Sequence, residues 1–590
     1  MKFFKFDKAK FKPNKSSMKE LIYLVYISFI IFIITEVVSA MGTTSFGYIQ
    51  NSTICIGVGI LLGILFLILF VFKKDKRNYY IGGFVLFLIM TPLIKYIWDK
   101  FYVFLDIPSD KIWCLILDYL IILLLLSPLI LLKKKVFYTV LMSSILMILS
   151  LCNYFVSIFR GIPLAYSDIY CINDGLSLAK DFLGQNKLIF IVIIVAMLLA
   201  FIVFLFMKDK REVRITSYTN IIILLVLIGG TYSYYINLVN SKTLIYYSAN
   251  MVKTYRYNGY VYSTLESGLR FIRFKPDNYN QESIVAIRKE VDSKTQTNKE
   301  TAVASSKLTK ISDNSSNKPN ILFVQLEGFM DPMSIDKVMY SKDPIPNFRK
   351  LQKNGISGKM KTPSIGGGTA RTEFEVMTGL DLEFLTDGEV PHYTILGHET
   401  LNSVASTLKK QGYSTHAIHN NQGNFYNRNK AYSSLGYDTY TSVEYMDNVE
   451  RTETNWAKDT VLTKYIKECL ESSKERDLVF TISVEGHSPY PTNSDIYNFP
   501  IKVVNSSLSK SDQNQIYYYI NKIHESDEFI GDVIDLVDSL DEDTIVVFYG
   551  DHTPALDLLN RDGGNVDRTT TPYAIYSNFD LNTDFKGGDI

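Results

Sequence analysis

The sequence predicts a multi-pass α-helical membrane domain followed by an extracellular α/β domain with a mixed, mostly parallel central sheet. Three observations favour this fold class. Apolar stretches of about 20 residues, long enough to cross a membrane, dominate the first 240 of the 590 residues. Short apolar runs alternate with amphipathic helical patterns after residue 320, and all seven histidines lie beyond residue 390. The first part of the chain is therefore expected to lie in the membrane, and the second part is expected to be a water-exposed domain with the reactive side chains.

The apolar stretches form the predicted membrane domain, residues 20–238, which follows a basic leader at 1–19. About seven of them can cross a hydrocarbon layer of ~30 Å. Glu36, Lys95 and Asp118 fall inside these stretches, each within about two turns of a predicted outer end, so we expect their charges to snorkel to the membrane surface. The stretches lie at roughly 20–42, 53–72, 79–98, 112–132, 136–158, 187–207 and 217–238.

Basic residues in alternate loops indicate the orientation. Seven lysines precede residue 20, and "KKDKR", "KKK" and "KDKREVR" follow the second, fourth and sixth stretches, whereas loops 43–52 and 159–186 are poor in Lys and Arg. Cytoplasmic loops carry such an excess of positive charge. Seven crossings from a cytoplasmic N-terminus place everything after residue 238 outside the cell. We therefore expect a cell-membrane protein with no nucleic-acid partner.

Residues 239–318 are predicted to join the membrane domain to an outer domain at 319–590. The part up to about 290 is aromatic and mixed in charge, which is compatible either with the lipid headgroup region or with packing against the outer domain. Residues 291–318 contain almost no large apolar side chain. That composition is typical of a flexible tether.

Four short apolar runs of the outer domain end on carboxylates or imidazoles, namely Glu327, His419, His487 and the pair Asp551 and His552. Because the carboxyl ends of parallel strands meet at one edge of a sheet, we expect these side chains to converge. Carboxylates and imidazoles together suit a divalent cation such as Mn²⁺ or Zn²⁺. The runs are "NILFVQLEGF", "STHAIH", "DLVFTISVEGHSP" and "TIVVFYGDH".

The segment "TPSIGGGTARTEFEVMTG" offers a nucleophile, Thr369, after three glycines and before a helical pattern. Glycines let the backbone approach a ligand closely, and a helix N-terminus favours an anion. The other reading is that Thr369 caps the helix. The two readings are compatible, because a residue at a helix start can also carry the nucleophile.

The motifs "LEGFMDP", "PIPNFRKL", "GGGTARTEF", "HNNQGNFYNRN", "SVEGHSP" and "YGDH" follow one another in the outer domain. In this order they resemble membrane-anchored phosphoglycerol transferases of the lipoteichoic acid synthase type, in the alkaline phosphatase/sulfatase superfamily. The resemblance implies a sulfatase-like fold. It also implies one divalent metal ion, foremost Mn²⁺ with Mg²⁺ or Zn²⁺ as alternatives, held by Glu327, Thr369, Asp551 and His552.

The same resemblance assigns further roles. Thr369 would double as the nucleophile, and His487 would lie near the transferred phosphate, either donating a proton to the leaving group or orienting the phosphate. Arg428 and Tyr426 would bind the glycerol phosphate, and Arg428 can grip phosphate oxygens bidentately. His419 and Asn421 would line the same pocket.

Three features depart from the family pattern. Family members carry five membrane segments rather than seven, and Arg371 stands where an acidic residue often follows the nucleophile. The chain also stops soon after "YGDH", so we expect a C-terminal truncation. Of the other histidines, 398, 416 and 524 need no special role, and His392 could border the pocket.

These observations lead to one functional hypothesis and its alternatives. The enzyme would move glycerol phosphate from phosphatidylglycerol to a glycolipid or polymer acceptor at the cell surface, through a phosphothreonine intermediate. A phosphoethanolamine transferase, or a phosphodiesterase or sulfuric ester hydrolase of the same superfamily, is the alternative within the class. Sulfatases need a Cys or Ser in a C/S-x-P-x-R setting, which "TARTE" lacks. A non-catalytic outer-surface receptor or scaffold is the alternative of another class.

Overall fold

The computed structural model divides the chain into two compact units. One consists mainly of residues up to Ser267, and the other of Gly268–Ser364, Gly368–Pro554 and Asn565–Ile590. The structure describes residues 24–33, 111–131, 135–160, 162–172, 193, 196–197, 199–204, 206–207, 218–246, 251–272, 278–290, 293, 318–336, 338–386, 388–562, 566–581 and 586–590.

Apolar helices dominate the first unit. Among the described residues, only Asn220–Asn240 is both long and apolar enough to cross a membrane, and shorter apolar helices lie at Leu24–Ile33, Ile112–Leu126 and Phe137–Asn153. The predicted segments 53–72 and 79–98 lie outside the described residues, as does most of the tether at 291–318, so the multi-pass topology stays a prediction. The named helices are α1 Ile112–Leu126, α2 Lys135–Arg160, α3 Tyr218–Asn240, α4 Met251–Asn258 and α5 Tyr260–Phe271.

Asp118 in α1 does not snorkel, and that expectation was wrong. Its side chain is fully buried, and its carboxylate accepts the backbone N–H groups of Val261 at 3.0 Å and Tyr262 at 2.6 Å. These are among the first N–H groups of α5, which have no partner within their own helix. Gly259 has φ +96°, and a Cβ there would lie 2.4 Å from the Asp118 Cγ. A carboxylate in one helix therefore caps another. The other two intramembrane charges, Glu36 and Lys95, lie outside the described residues.

We expect Asp118→Ala to lower the free energy of unfolding of this unit by about 2 kcal/mol, since two buried N–H groups lose their acceptor. Asp118→Asn keeps one acceptor oxygen and should cost less. Thermal unfolding of the full chain in detergent measures both changes. Unchanged stability in Asp118→Ala would show that the cap contributes nothing.

A seven-stranded sheet forms the centre of the second unit, in the order β3-β9-β8-β1-β6-β4-β5. The pairs β8–β1, β1–β6, β6–β4 and β4–β5 are parallel, while β9 pairs antiparallel with both β8 and β3. This confirms the predicted mixed, mostly parallel sheet. The strands are β1 Asn320–Leu326, β2 Val338–Tyr340, β3 Ile356–Lys361, β4 Ser414–His419, β5 Thr439–Ser442, β6 Asp477–Ile482, β7 Val503–Ser506, β8 Thr544–Gly550 and β9 Thr570–Ser577.

The central strands are apolar because both faces of the sheet are covered. All six residues of β6 are buried, and its Leu478, Phe480 and Ile482 pack with Tyr432 and Tyr437 in the main core. The helices after residue 340 are α6 Pro346–Asn354, α7 Thr369–Thr378, α8 Pro391–Thr394, α9 Val404–Lys409, α10 Arg428–Leu435, α11 Val461–Leu470, α12 Lys510–Asp538 and α13 Asp557–Asp562.

The four strands predicted from the sequence are β1, β4, β6 and β8, and they are all parallel to one another. Their carboxyl ends therefore share one edge of the sheet, where parallel α/β folds bind ligands. Glu327 follows β1 directly, His419 is the last residue of β4, and Asp551 follows β8. This edge carries the candidate site.

Candidate active site

Glu327, Asp551 and His552 form a buried cluster whose ligand atoms all lie within 4.8 Å of one another. The Nε2 atom of His552 lies 3.3 Å from Glu327 Oε1 and 3.3 Å from Asp551 Oδ2. Two neighbouring strands bring the groups together, because β1 and β8 end side by side in register at Leu326 and Gly550.

Hydrogen bonds to the backbone orient the Asp551 and His552 side chains. Asp551 Oδ1 accepts the N–H groups of Gly328 at 2.8 Å and His552 at 2.7 Å. His552 Nδ1 donates to the Thr553 carbonyl at 3.1 Å. Asp551 Oδ2 and His552 Nε2 have no hydrogen-bond partner in the described part of the chain. Because buried polar atoms are normally satisfied, two such atoms beside a carboxylate fit a divalent cation with oxygen and nitrogen ligands.

Burial and mutual charge shift the pKa values of all three groups. Burial raises the pKa of Asp551 to about 8, with the help of the negative charge of Glu327. Burial opposes ionisation of Glu327 as well, but the positive charges of His487 and His552 outweigh it and lower the pKa of Glu327 to about 2. Burial lowers the pKa of His552, but Asp551 and Glu327 outweigh it and raise that pKa to about 9. These opposed shifts indicate that the three titratable groups share one small buried volume and influence one another's protonation.

Thr369 joins the cluster from the helix side. It is the first residue of α7, its side chain is buried, and its Oγ1 donates to Glu327 Oε2 at 2.9 Å. The preceding Gly368 is the N-cap and has φ +91°, a left-handed conformation that favours glycine. A Cβ at Gly368 would also lie 2.9 Å from Ser364 Oγ. The hydroxyl of Thr369 therefore faces the carboxylate cluster.

Arg371, which departs from the family pattern, turns inward. Its Nε donates to Ser364 Oγ at 3.0 Å, and its Nη1 donates to the Glu389 carbonyl at 2.8 Å. The side chain thereby ties the start of α7 to two loops of the same unit. Arg371 is thus a buried structural residue that cross-links these segments by hydrogen bonds.

His487 lies in the loop after β6 and approaches the cluster closely enough for its charge to affect the pKa of Glu327. Its Nδ1 donates to the Ser488 carbonyl at 2.5 Å. The ring also lies against Trp456, with ring centroids 4.2 Å apart, and Trp456 Nε1 donates to the same carbonyl at 3.1 Å. These contacts hold the imidazole ring in one orientation.

A buried carboxylate that the sequence reasoning missed, Asp459, holds this loop. Its Oδ1 accepts the N–H groups of Val484 at 3.1 Å and Glu485 at 3.2 Å, as well as the side-chain amide of Asn420 at 3.0 Å. Its Oδ2 accepts the Ser526 hydroxyl at 2.8 Å. Asn420 follows His419, so one carboxylate joins the ends of β4 and β6 to helix α12.

His419 is the last residue of β4, and Asn421 follows it by two positions. His419 is buried, and its Nδ1 donates to the Ile482 carbonyl at 3.0 Å. Burial, with the nearby charge of Arg428, lowers the pKa of His419 to about 3, so the ring is neutral at pH 7. The Asn421 Oδ1 accepts the N–H of Gln422 at 2.8 Å, which stabilises the turn between β4 and the next segment.

Arg428 begins α10 and is almost completely buried. Two left-handed residues precede it, Tyr426 with φ +57° and Asn427 with φ +56°, which are uncommon outside glycine. This kink turns Arg428 inward against Glu373, and its guanidinium carbon lies 5.2 Å from the centroid of the Tyr426 ring. Its Nη1 has no hydrogen-bond partner in the part of the chain that the structure describes.

The buried partners of Arg428 escaped sequence reasoning. Glu373 lies inside "TARTEF", one helical turn after Thr369, and that spacing was the available signal. His392 lies with its Nε2 3.3 Å from Glu373 Oε2. His392, which we expected could border the pocket, is fully buried and contacts Glu373.

A family model gives this arrangement its context. The sulfatase family model matches residues 319–585. Residues 319–585 form a sulfatase-family domain. This match, together with the similarity of the domain to lipoteichoic acid synthases, confirms the resemblance at the level of the domain.

Two curated relatives and one solved structure illustrate what the sulfatase-family domain is similar to. A Rhizobium meliloti protein named for cyclic beta-1,2-glucan modification is 32% identical over 242 residues, and lipoteichoic acid synthase 2 of Bacillus subtilis is 27% identical over 235 residues. The matches cover 41% and 40% of this chain, and the chain spans only 37% and 35% of the lengths of these relatives.

The solved structure is the Streptococcus pyogenes phosphoglycerol transferase GacH in complex with sn-glycerol-1-phosphate, with 22% identity and a TM-score of 0.43. The similarity covers 52% of this chain and 77% of that one.

We expect Mn²⁺ to raise the unfolding temperature of the sulfatase-family domain in the full chain, because a ligand that binds only the folded state stabilises it by about 2.7 kcal/mol at a hundredfold excess over Kd. Asp551→Asn and His552→Ala should each abolish this rise. Differential scanning calorimetry with and without Mn²⁺ measures it, and Zn²⁺ and Mg²⁺ are compared in parallel.

The matched control is His416→Ala. His416 Nε2 lies 3.2 Å from Asp477 Oδ1 in another buried imidazole–carboxylate pair, and Asp477 begins β6, away from the strand ends that carry the cluster. This variant should keep the full metal-dependent rise. A rise that survives in Asp551→Asn and His552→Ala would place the metal elsewhere.

We expect Asp459→Ala to lower the free energy of unfolding by about 3 kcal/mol, since several buried donors lose a charged acceptor at once. Asp447→Ala serves as the control in the same segment, because the Asp447 side chain is 81% exposed. Thermal unfolding measures both, and equal stability of the two variants would contradict the role assigned to Asp459.

Proposed function

We propose that this chain is a membrane-anchored, metal-dependent phosphoglycerol transferase that moves glycerol phosphate from phosphatidylglycerol to a cell-surface acceptor. The observation that carries the proposal is the 2.9 Å contact between Thr369 Oγ1 and Glu327 Oε2. It supports the proposal because this hydroxyl lies beside a cluster of buried groups that fits a divalent cation. Hydroxyl, metal ligands and an adjacent histidine together suit transfer of a phosphoryl-type group.

The metal, Mn²⁺ in our proposal, would be held by Glu327, Asp551, His552 and Thr369. When bound, it supplies Lewis acidity, which lowers the pKa of the Thr369 hydroxyl and favours negative charge at the transferred phosphate. A dry, buried site strengthens this electrostatic effect.

The first transfer releases the lipid. Thr369 Oγ1, after its proton passes to solvent, forms a bond to the phosphorus of phosphatidylglycerol. The bond between phosphorus and the diacylglycerol oxygen breaks, and that oxygen takes a proton from His487. The products are diacylglycerol and glycerol phosphate esterified to Thr369. The second role weighed for His487, orienting the phosphate by hydrogen bonds, is compatible with this geometry.

The second transfer regenerates the enzyme. An acceptor hydroxyl gives its proton to His487 and forms a bond to phosphorus. The bond between phosphorus and Thr369 Oγ1 breaks, and that oxygen takes a proton back from solvent. Arg428, whose Nη1 remains available, and Tyr426 beside it would hold the glycerol phosphate, with His419 and Asn421 lining the pocket. A membrane anchor next to the lipid raises the effective concentration of the donor.

The nature of residue 369 disfavours sulfuric ester hydrolysis. Sulfatases convert a Cys or Ser into formylglycine, and a threonine at this position does not supply that group. Phosphoethanolamine transfer shares the same chemistry and differs only in the headgroup. The likeness to a lipoteichoic acid synthase favours phosphoglycerol.

The acceptor has two candidates. A glycolipid or growing polymer is the first, by analogy with the lipoteichoic acid synthase. The second is the hydroxyl group of a glucan that receives single phosphoglycerol groups. The similarity to the protein named for glucan modification, at 32% identity, favours this second candidate.

We expect Thr369→Ala to abolish release of diacylglycerol from phosphatidylglycerol, with a loss of at least about a thousandfold, because no covalent intermediate can form. Thr369→Ser should retain part of the activity, and Thr378→Ala, at the far end of the same helix, should retain all of it. The assay incubates the full chain with Mn²⁺ and headgroup-labelled lipid, and follows diacylglycerol and labelled protein.

Turnover that persists in Thr369→Ala would rule out the covalent mechanism. An absence of diacylglycerol and of labelled protein in the wild type would favour a receptor or scaffold. Offering cyclic glucan and a glycolipid as competing acceptors then identifies which one gains the label.

A further inference from the structure

We propose that Glu373 is a positioning residue, which holds the Arg428 guanidinium so that its Nη1 edge meets the phosphate group of the glycerol phosphate. This inference rests on the proposed function. Glu373 touches neither the nucleophile nor the metal cluster, and it acts through Arg428. The argument begins with helix α7, which carries both Thr369 and Glu373.

Helix α7 places Glu373 one turn behind the nucleophile. Thr369 is the first residue of this helix and Glu373 is the fifth. Residues four apart lie on the same face of an α-helix, about 6 Å apart along its axis. Both side chains are buried. The Glu373 carboxylate therefore starts about one helical turn from the residue that carries the Thr369 hydroxyl.

Protein groups occupy both oxygens of Glu373. Arg428 Nε donates at 3.2 Å to each oxygen, and Arg428 Nη2 donates to Oε1 at 2.5 Å. Tyr432 Oη donates to Oε2 at 2.7 Å, and His392 Nε2 lies 3.3 Å from the same oxygen. With these contacts filled, the carboxylate is not free to bind substrate, and orienting Arg428 is the role that remains.

One nitrogen of the Arg428 guanidinium, Nη1, is not engaged by Glu373. A guanidinium is planar, so two occupied nitrogens fix the direction of the third. The Nη1 atom has no partner among the described residues, although the side chain is only 1% exposed. An unsatisfied buried N–H group is unfavourable. An anionic oxygen is the complementary partner, since charge-assisted hydrogen bonds are the strong ones.

Neighbouring contacts place the Arg428 side chain close to the residues of the candidate site. The Tyr426 ring faces Arg428, and Tyr426 packs with Ala370, the residue after the nucleophile. His419 interacts electrostatically with Arg428, Glu373 and Glu327 alike. Arg428 therefore lies in the same small volume as the metal cluster, and its remaining donors belong to the candidate glycerol phosphate pocket.

The test measures binding of sn-glycerol 1-phosphate and turnover of phosphatidylglycerol by the full chain. Glu373→Gln keeps the shape of the side chain but loses the charge that holds the guanidinium. We expect it to weaken glycerol phosphate binding and raise KM by about tenfold each, because a misdirected charged donor costs affinity and orientation. The matched control is Tyr437→Phe, which removes a buried hydroxyl that contacts Met377 and not Glu373, and should bind as the wild type does.

A double-variant cycle separates positioning from a general structural role. In an Arg428→Met background, Glu373→Gln should change binding by less than twofold, since there is no guanidinium left to orient. Thermal unfolding is recorded for every variant. If Glu373→Gln fails to fold, Glu373→Asp keeps the ion pair while shifting the guanidinium, and should lose binding while remaining folded.

If a folded Glu373→Gln variant binds sn-glycerol 1-phosphate as tightly as the wild type does, the inference is overturned. It is also overturned if Glu373→Gln weakens that binding by the same factor in the Arg428→Met background as in the wild type. These outcomes leave the proposed function standing. A wild-type chain that neither binds sn-glycerol 1-phosphate nor releases diacylglycerol would overturn the proposed function, and this inference with it.

Discussion

The parallel pairing of β1 with β8 and β6 is the constraint on which the site depends. In register, Leu326 lies beside Gly550, so the next residues, Glu327 and Asp551, emerge at the same edge. Two carboxylates and an imidazole are thereby forced into a volume that a divalent cation would fill. Helix α7 begins at this edge and adds the Thr369 hydroxyl, which makes the cluster a candidate for group transfer.

Several of the buried charged side chains of this domain are stabilised by hydrogen bonds and ion pairs with defined partners. Glu373 and Arg428 neutralise each other in the core, and Asp459 accepts backbone and side-chain donors from the ends of two strands and from helix α12. A buried ion pair adds little stability by itself but penalises any other arrangement of its partners. In this domain these contacts hold the end of β4 at His419, the loop that carries His487 and the start of α10 at Arg428.

Sequence reasoning predicted the parts of this structure that follow from chain-local patterns. The apolar runs of β1, β4, β6 and β8 and their polar ends are visible in the sequence, as is the long amphipathic helix α12. The strands β3, β5 and β9 were missed, because edge and antiparallel strands are shorter or more polar. Asp118 was misread for a related reason: its partners, Val261 and Tyr262, are more than 140 positions away along the chain.

By itself, the sequence determined the fold class of the sulfatase-family domain and the candidate metal ligands, since residue type and strand periodicity are properties of short segments. Tertiary structure alone decided that Thr369 contacts Glu327, that Arg371 is a buried structural residue, and that Glu373 holds Arg428. Such contacts join residues far apart in the chain or facing one another across the sheet edge. Their geometry follows from strand order and helix placement, which no local pattern encodes.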